Sequence, residues 1–286
     1  KKMNVLITGC NGFLGRELVP LFENDGYNVI ATNRDNLDVM DGDQVASFLD
    51  DHDVDIVIHA AVKGGRRNQP DTHINMFRNI TMFENLRKNC SKYKLMINFG
   101  SGAEFDKTQD VSNMTEEQIH ERYPKDYYGL SKSIISKQIK EMYTNIVNLR
   151  LFGCFGAKED NDRMIKASIL KALDGKPIEI HQDREMDFFY VKDLYKVVTH
   201  YIENLGKNLP KDLNLCYSRK YSLMDVANTI DRVSHNHVKI TVNDREKASS
   251  YTGCGKKLES LDLELIGLKK GIKEVYDSIV EAQNVN

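Results

Sequence analysis

Apolar residues in this chain fall into short continuous runs and helical repeats, and the two alternate. Val5-Leu6-Ile7 is too compact for a helix and reads as a buried strand. A helical pattern follows over 16–23. Residues 27–31 predict a second strand, Leu37-Asp38-Val39 a short third element, and 43–50 a helix with an Asp cap. Residues 55–62 predict another buried strand, 75–89 a helix, and 94–99 a strand ending at Gly100-Ser101-Gly102. From Tyr128 a helical pattern continues through 133–143. Strand and helix in alternation argue for an α/β fold built on a doubly wound parallel sheet.

The second half is mixed. Residues 162–174 look helical, 176–180 form a short strand and 191–205 a helix. Ser222 caps a helix over 222–234, with Asp225 three residues later as in a capping box. A strand over 239–242 and an amphipathic helix over 267–280 close the chain. No internal repeat, low-complexity linker or long charge run interrupts it.

The first strand runs into three glycines, Gly9, Gly12 and Gly15, spaced G-x-x-G-x-x-G, and then into a helix. This is the context of a Rossmann-type dinucleotide turn. Gly9 permits the tight turn, Gly12 the close approach of a pyrophosphate, and Gly15 the packing of helix on strand. The turn residues Asn11, Phe13 and Leu14 lie between them. At the tip of the second strand an acid would favour NAD and an arginine NADP. Here Thr32-Asn33-Arg34 carries no acid, and Arg34 follows at once, so NADP is expected, with NAD as runner-up. The plain alternative for Arg34 is a solvated turn residue.

The 286 residues suffice for one large domain or two smaller ones, and the formal net charge of −2 points to neither nucleic acid nor an anionic membrane. No apolar run has the length of a membrane span, and Lys1-Lys2-Met3 leads into a strand without a signal-peptide pattern. Five scattered cysteines, none with metal-ligand spacing, fit a reducing cytoplasm. His59, alone on an apolar strand, reads as a packed histidine. The loop Lys63-Gly64-Gly65-Arg66-Arg67 leaves the carboxyl end of that strand, where open α/β sheets bind ligands.

Tyr128 and Lys132 are four apart and share a helix face. A nearby ammonium favours the phenolate, so such a tyrosine can exchange a proton near neutral pH. A hydroxyl from Ser101, on a strand tip, could polarise the same carbonyl oxygen. A solvated tyrosine–lysine pair is common by chance; joined to the glycine turn and the strand-tip serine it becomes a site.

These features resemble the extended short-chain dehydrogenase/reductases of the nucleotide-sugar epimerase/dehydratase family. The glycine turn, His59-Ala60-Ala61, Ser101, the Tyr128/Lys132 pair, Leu149-Arg150-Leu151-Phe152 and Asp187-Phe188-Phe189-Tyr190-Val191-Lys192-Asp193 fall in family order. The stretch from Arg34 to Asp38 and the loop from Ala60 to Lys63 are similar to those of GDP-fucose synthases. The resemblance implies Ser101, Tyr128 and Lys132 as catalytic triad, Asp38 near the adenine, Ala60, Ala61 and Lys63 along the dinucleotide, and Phe152 beside the nicotinamide. It implies a dinucleotide-binding domain over 1–155, to which segments near 183–205 return, and a smaller substrate lobe over 156–286. A nucleoside-diphosphate sugar substrate and a homodimer belong to the same expectation.

Departures from the GDP-fucose synthase pattern sharpen it. The epimerising cysteine and histidine are replaced by Ala103 and Arg163, the sugar-pocket asparagine by Gly153, and the arginine before Asp187 by Met186, with Arg184 two residues earlier. A methyl group moves no proton, and an arginine stays protonated. The Asp-Glu pair of the dehydratases is missing after Ser101. The expectation is therefore reduction of a keto group, at C4 of a 6-deoxy sugar, without 3,5-epimerisation. The alternatives are a 4-epimerase with tightly bound NAD and a catalytically silent dinucleotide-binding regulator. Arg163, Lys166, Arg184, Lys256 and Lys257 are candidate diphosphate contacts, with solvated surface charges as the plain alternative.

Overall fold

The computed structural model describes residues 2–286, so Lys1 lies outside the described residues. The chain begins with β1 (Asn4–Thr8), α1 (Phe13–Asn24), β2 (Asn28–Ala31), α2 (Gly42–Asp51), β3 (Ile56–His59), α3 (His73–Arg87) and β4 (Leu95–Ser101). Its middle carries β5 (Val111–Met114), α4 (Tyr127–Glu141), β6 (Ile146–Leu151), β7 (Cys154–Phe155), α5 (Met164–Leu173), β8 (Ile178–Gln182), β9 (Phe189–Tyr190) and α6 (Val191–Glu203). It ends with β10 (Asp212–Leu215), α7 (Leu223–Ser234), β11 (Ile240–Asp244), β12 (Tyr251–Gly253), α8 (Lys256–Glu259) and α9 (Leu268–Val285).

Two compact units emerge. One comprises Lys1–Thr108, Thr115–Leu151 and Val197–Asn214; the other Gln109–Met114, Phe152–Lys196 and Leu215–Asn286. In this division the chain changes unit after Thr108, Met114, Leu151, Lys196 and Asn214.

The first unit is built on a six-stranded sheet, ordered β10-β6-β4-β3-β1-β2 among the described residues. β1 pairs in parallel with β2 and β3, β3 with β4, and β4 with β6. Strand order reverses between β1 and β3, the switch point outside which such sheets bind ligands. β1, β3 and β4 are buried throughout or nearly so, which is why they read as continuous apolar runs. Leu6, Val57 and Met96 of the sheet pack with Phe83 and Leu86 of α3 and Ile135 and Ile139 of α4. A polar row crosses this core at one register level, with Thr8 beside His59, His59 beside Asn98, and Asn98 beside Asn148.

The third element expected at Leu37-Asp38-Val39 is irregular backbone. Leu37 and Val39 are buried there as anchors of a loop, and the Asp38 N–H donates to Gln44 Oε1 at 2.6 Å instead of to a strand. The cap of α2 is Asp41, whose carboxylate accepts from the N–H groups of Asp43 and Gln44. In the second unit β8 pairs with β11, β5 with β12, and β7 with β9, all parallel. The Ser222–Asp225 capping box of α7 forms in full. Asp193 holds the start of α9, accepting from the N–H groups of Ile266 and Gly267 at 2.7 and 2.9 Å.

Candidate active site

At the glycine turn, Gly9 has φ +65°, and a Cβ on it would meet Ala61 Cα at 2.6 Å. Only glycine lets the end of β1 lie against the end of β3. A Cβ on Gly15 would come 2.4 Å from Gly9 O, so α1 packs directly on the turn. Gly12 caps α1 with no side-chain hydrogen bond, and the first turn carries no acid. Asn11 and Gly12 are exposed, with Phe13 and Leu14 half-buried behind them. An α1 N-terminus with neither a capping side chain nor an acid, behind glycines that clear the backbone, fits a dinucleotide diphosphate.

Behind the turn, Thr8 Oγ1 accepts from the N–H groups of Ala60 and Ala61 at 3.1 and 3.2 Å. Its own hydrogen is then directed to His59 Nδ1, 2.8 Å away, which must be unprotonated. Burial, and secondarily the charge of Lys132, lowers the His59 pKa to about 3. His59 is the packed, neutral histidine its apolar strand implied.

At the tip of β2, Asn33 ties the turn locally: its N–H donates to Asn36 Oδ1 at 2.8 Å, and its side chain accepts from Asp35 N–H at 2.8 Å. Arg34 is exposed beside it, and Asp38 accepts from Met40 N–H at 3.0 Å. Lys63 is clamped by Asn79, which accepts from its N–H and donates to its carbonyl, both at 2.8 Å.

α4 starts at two acids. Asp126 accepts from Gly129 N–H at 2.9 Å, and Asp71 accepts from the N–H groups of Tyr127 and Tyr128 at 2.8 and 3.0 Å. Negative charge at this end suits the helix dipole. One turn on, Lys132 Nζ donates to Phe99 O at 2.8 Å and lies 5.9 Å from the Tyr128 ring centroid. Removal of the ammonium from water lowers its pKa to about 8, against the opposing pull of Glu104. Ser101 ends β4, two residues after Phe99, and its Oγ accepts from Ala103 N–H at 3.0 Å. That leaves the hydroxyl hydrogen for another acceptor. Ala103 itself is buried.

The first unit therefore carries the glycine turn, the β2 tip, Ala60, Ala61, Lys63, Ser101, Ala103, Tyr128 and Lys132. Phe152, Gly153, Arg163 and Arg184 belong to the second. There Phe152 is buried edge-on to Tyr251, with ring centroids 5.4 Å apart. A Cβ on Gly153 would come 2.5 Å from Asp187 O, so an asparagine has no room at this position. Arg163 is the exposed N-cap of α5, and Arg184 lies half-buried between β8 and β9. Lys166 is no surface charge: its Nζ donates to the carbonyls of Ala157 and Glu159 at 2.8 and 2.9 Å.

Reading by residue type missed what lies beneath Ser101. Glu104 and Arg150 are fully buried and paired, Glu104 Oε1 to Arg150 Nη2 at 3.0 Å. Arg150 also reaches Asp212 Oδ1 and Asn214 Oδ1, both at 2.8 Å. The S-x-x-E spacing of Ser101 and Glu104 was the available signal. Among the described residues no cluster of three or more His, Cys, Asp or Glu could hold a metal ion, and no helix is long and apolar enough to cross a membrane.

A parallel sheet with a glycine turn at its switch point, and a Tyr-x-x-x-Lys helix over a strand-tip serine, is the architecture of an extended short-chain dehydrogenase/reductase. Over residues 5–216 the chain matches the NAD dependent epimerase/dehydratase family, and it belongs to that family. It is similar to GDP-L-colitose synthase of Yersinia pseudotuberculosis, 25% identical over 256 residues, 81% of this chain and 82% of that protein. GDP-6-deoxy-D-talose 4-dehydrogenase of Aggregatibacter actinomycetemcomitans is also 25% identical, over 255 residues, 85% of this chain and 84% of that protein. The fold is that of GDP-mannoheptose C4 reductase from Campylobacter jejuni, solved with NADP bound. The TM-score is 0.82 at 21% identity, over 96% of this chain and 98% of that one.

Proposed function

We propose that this protein is an NADPH-dependent reductase of a keto group, at C4, of a nucleoside-diphosphate 6-deoxy sugar. The observation that carries the reading is the placement of Lys132 on one helix with Tyr128, its ammonium bonded to the strand that ends at Ser101. The names of the two relatives support a GDP-linked sugar, and the NADP in the heptose reductase supports the cofactor.

The amides around Gly9, Asn11, Gly12, Phe13, Leu14 and Gly15 would hold the diphosphate of the dinucleotide. Asn33 and Arg34 would hold its 2′-phosphate, and Asp38 would lie near the adenine. Ala60, Ala61 and Lys63 would line its path, with Phe152 at the nicotinamide. When bound, NADPH supplies the hydride. As negative charge grows on the sugar oxygen, Tyr128 gives it the phenolic proton and Ser101 donates the hydrogen that Ala103 N–H leaves available. Lys132 favours the phenolate that remains. Arg163, Arg184, Ala103 and Gly153 would face the substrate. With a methyl at Ala103 and a permanent cation at Arg163, the usual 3,5-epimerising acid and base are both missing.

The exposed Ile74 and Phe77 on α3 and Tyr127 on α4 support a homodimer through these helices. His73 and Tyr127 meet edge-on with centroids 6.1 Å apart, so the two helix starts touch.

The test is a GDP-4-keto-6-deoxy-hexose offered with NADPH in deuterated water. Mole-for-mole consumption of NADPH without deuterium at C3 or C5 is expected. Isomerisation without net consumption would make the protein a 4-epimerase. Binding of the dinucleotide with no conversion would make it a silent regulator.

A further inference from the structure

The box formed by Ser101 and Glu104 is out of proportion to the structure it caps. Gly102–Glu104 is a single 3-10 turn, yet Glu104 is fully buried, and its Oε2 accepts from Ser101 N–H at 2.6 Å. Its other oxygen takes Nε and Nη2 of Arg150 at 3.2 and 3.0 Å. Burying a carboxylate and a guanidinium is costly even when they pair, and one short turn does not require it. The backbone is also cleared for it: a Cβ on Gly100 would come 2.4 Å from Glu104 Oε2.

The charged groups acting on Lys132 are few. His59 faces it from β3 and is neutral at working pH; Tyr128 lies on its own helix. Glu104 is the anion that acts on it. The carboxylate thus bonds the amide of Ser101, and its charge favours the charged form of Lys132.

We propose that Glu104 is a positioning residue of this site: clamped by Arg150, it fixes Ser101 at the strand tip and holds Lys132 in its charged form. The role rests on the reductase reading above. Arg150 holds the Glu104 carboxylate in place, and Asp212 and Asn214 in turn hold Arg150. The anchor of that carboxylate thus comes from β6 and β10, two strands that carry none of the proposed reacting groups.

NADPH affinity by cofactor fluorescence, and kcat with the keto sugar, should be followed from pH 6 to 10 in the wild type, Glu104→Gln and Glu104→Asp. Glutamine can still accept from Ser101 N–H but has no charge, so the alkaline limb of both profiles should move acidward by about one pH unit or more. Aspartate keeps the charge but is one methylene short. Its limb should stay in place while kcat falls about 10-fold or more at every pH, because Ser101 is less well held. An unmoved limb in Glu104→Gln overturns the proposal. Should that variant fail to fold, Glu104→Asp decides: wild-type kcat overturns the role, and reduced kcat with an unmoved limb supports it. Failure of the wild type to bind NADPH overturns the reductase reading, and this role with it, before any variant is compared.

Discussion

Gly65 lies against the ring of Tyr128: a Cβ placed on it would come 2.7 Å from both Cε2 and Cζ of the phenol. Its φ of +83° independently favours glycine. Gly65→Ala should therefore displace either the loop or the phenol, the proposed proton donor. The expected loss in kcat is about 10–100-fold, the cost of a misplaced reacting group. The strain of an alanine at this φ should also lower the melting temperature by a few degrees. Wild-type turnover in this variant would show that the loop does not set the tyrosine.

Tyr128→Phe removes the proposed proton donor and leaves the ring against Gly65. Steady-state kinetics should show kcat reduced by about 10²–10⁴-fold, the range of general acid catalysis, with NADPH affinity nearly unchanged. Retained turnover would assign the proton to another group.

Arg34 stands at the β2 tip with no acid on the preceding residues. Arg34→Ala should weaken NADPH binding by about 1–3 kcal/mol, the worth of a charge-assisted contact, and leave NADH binding as it was. Titration of both dinucleotides checks this. Equal losses for the two would remove Arg34 from 2′-phosphate recognition.

His59 ties stability to pH. Its folded pKa of about 3 lies below the ordinary 6.5, so unfolding takes up a proton anywhere between these values. The stabilisation is complete above pH 6.5 and lost as pH falls towards 3, at about 1.4 kcal/mol per pH unit. His59→Asn, which keeps a polar partner for Thr8 but does not titrate, should flatten this slope in urea unfolding between pH 4 and 7. Parallel slopes would mean that another buried group carries the acid sensitivity.

Phe77 on α3 is 62% exposed. Phe77→Glu should convert a dimer to a folded monomer in light scattering, since a charge at the centre of an apolar contact is left unpaired. A wild type already monomeric would refute the helix-paired dimer.

The stretches proposed to carry the chemistry could be read because each rests on local pattern. The apolar run of β1, the glycines behind it and the i, i+4 pair on α4 need no partner to be read. What escaped depends on distant residues. β10 reads Asp-Leu-Asn-Leu, and its polar members can be buried because Arg150, Asn148 and Glu116 pair with them. β5 and β12 are short, and their pairing joins residues well over a hundred positions apart. Leu37 and Val39 misled in the opposite sense: burial without a strand partner looks the same in sequence as burial within a sheet.

The interleaving of β10 has a consequence for how the molecule is made. The first unit is not finished when Leu151 has been synthesised; its sheet waits for 212–215, after the first stretches of the second unit have emerged. Until then Arg150 has Glu104 but neither Asp212 nor Asn214. A fragment cut at 155 would hold the glycine turn, Ser101, Tyr128 and Lys132 and still lack the edge strand that settles the charge beneath them. Completing the sheet of the first unit thus needs a pairing far apart in the chain, and the proposed site cannot be truncated or transplanted with its whole sheet as one continuous N-terminal block.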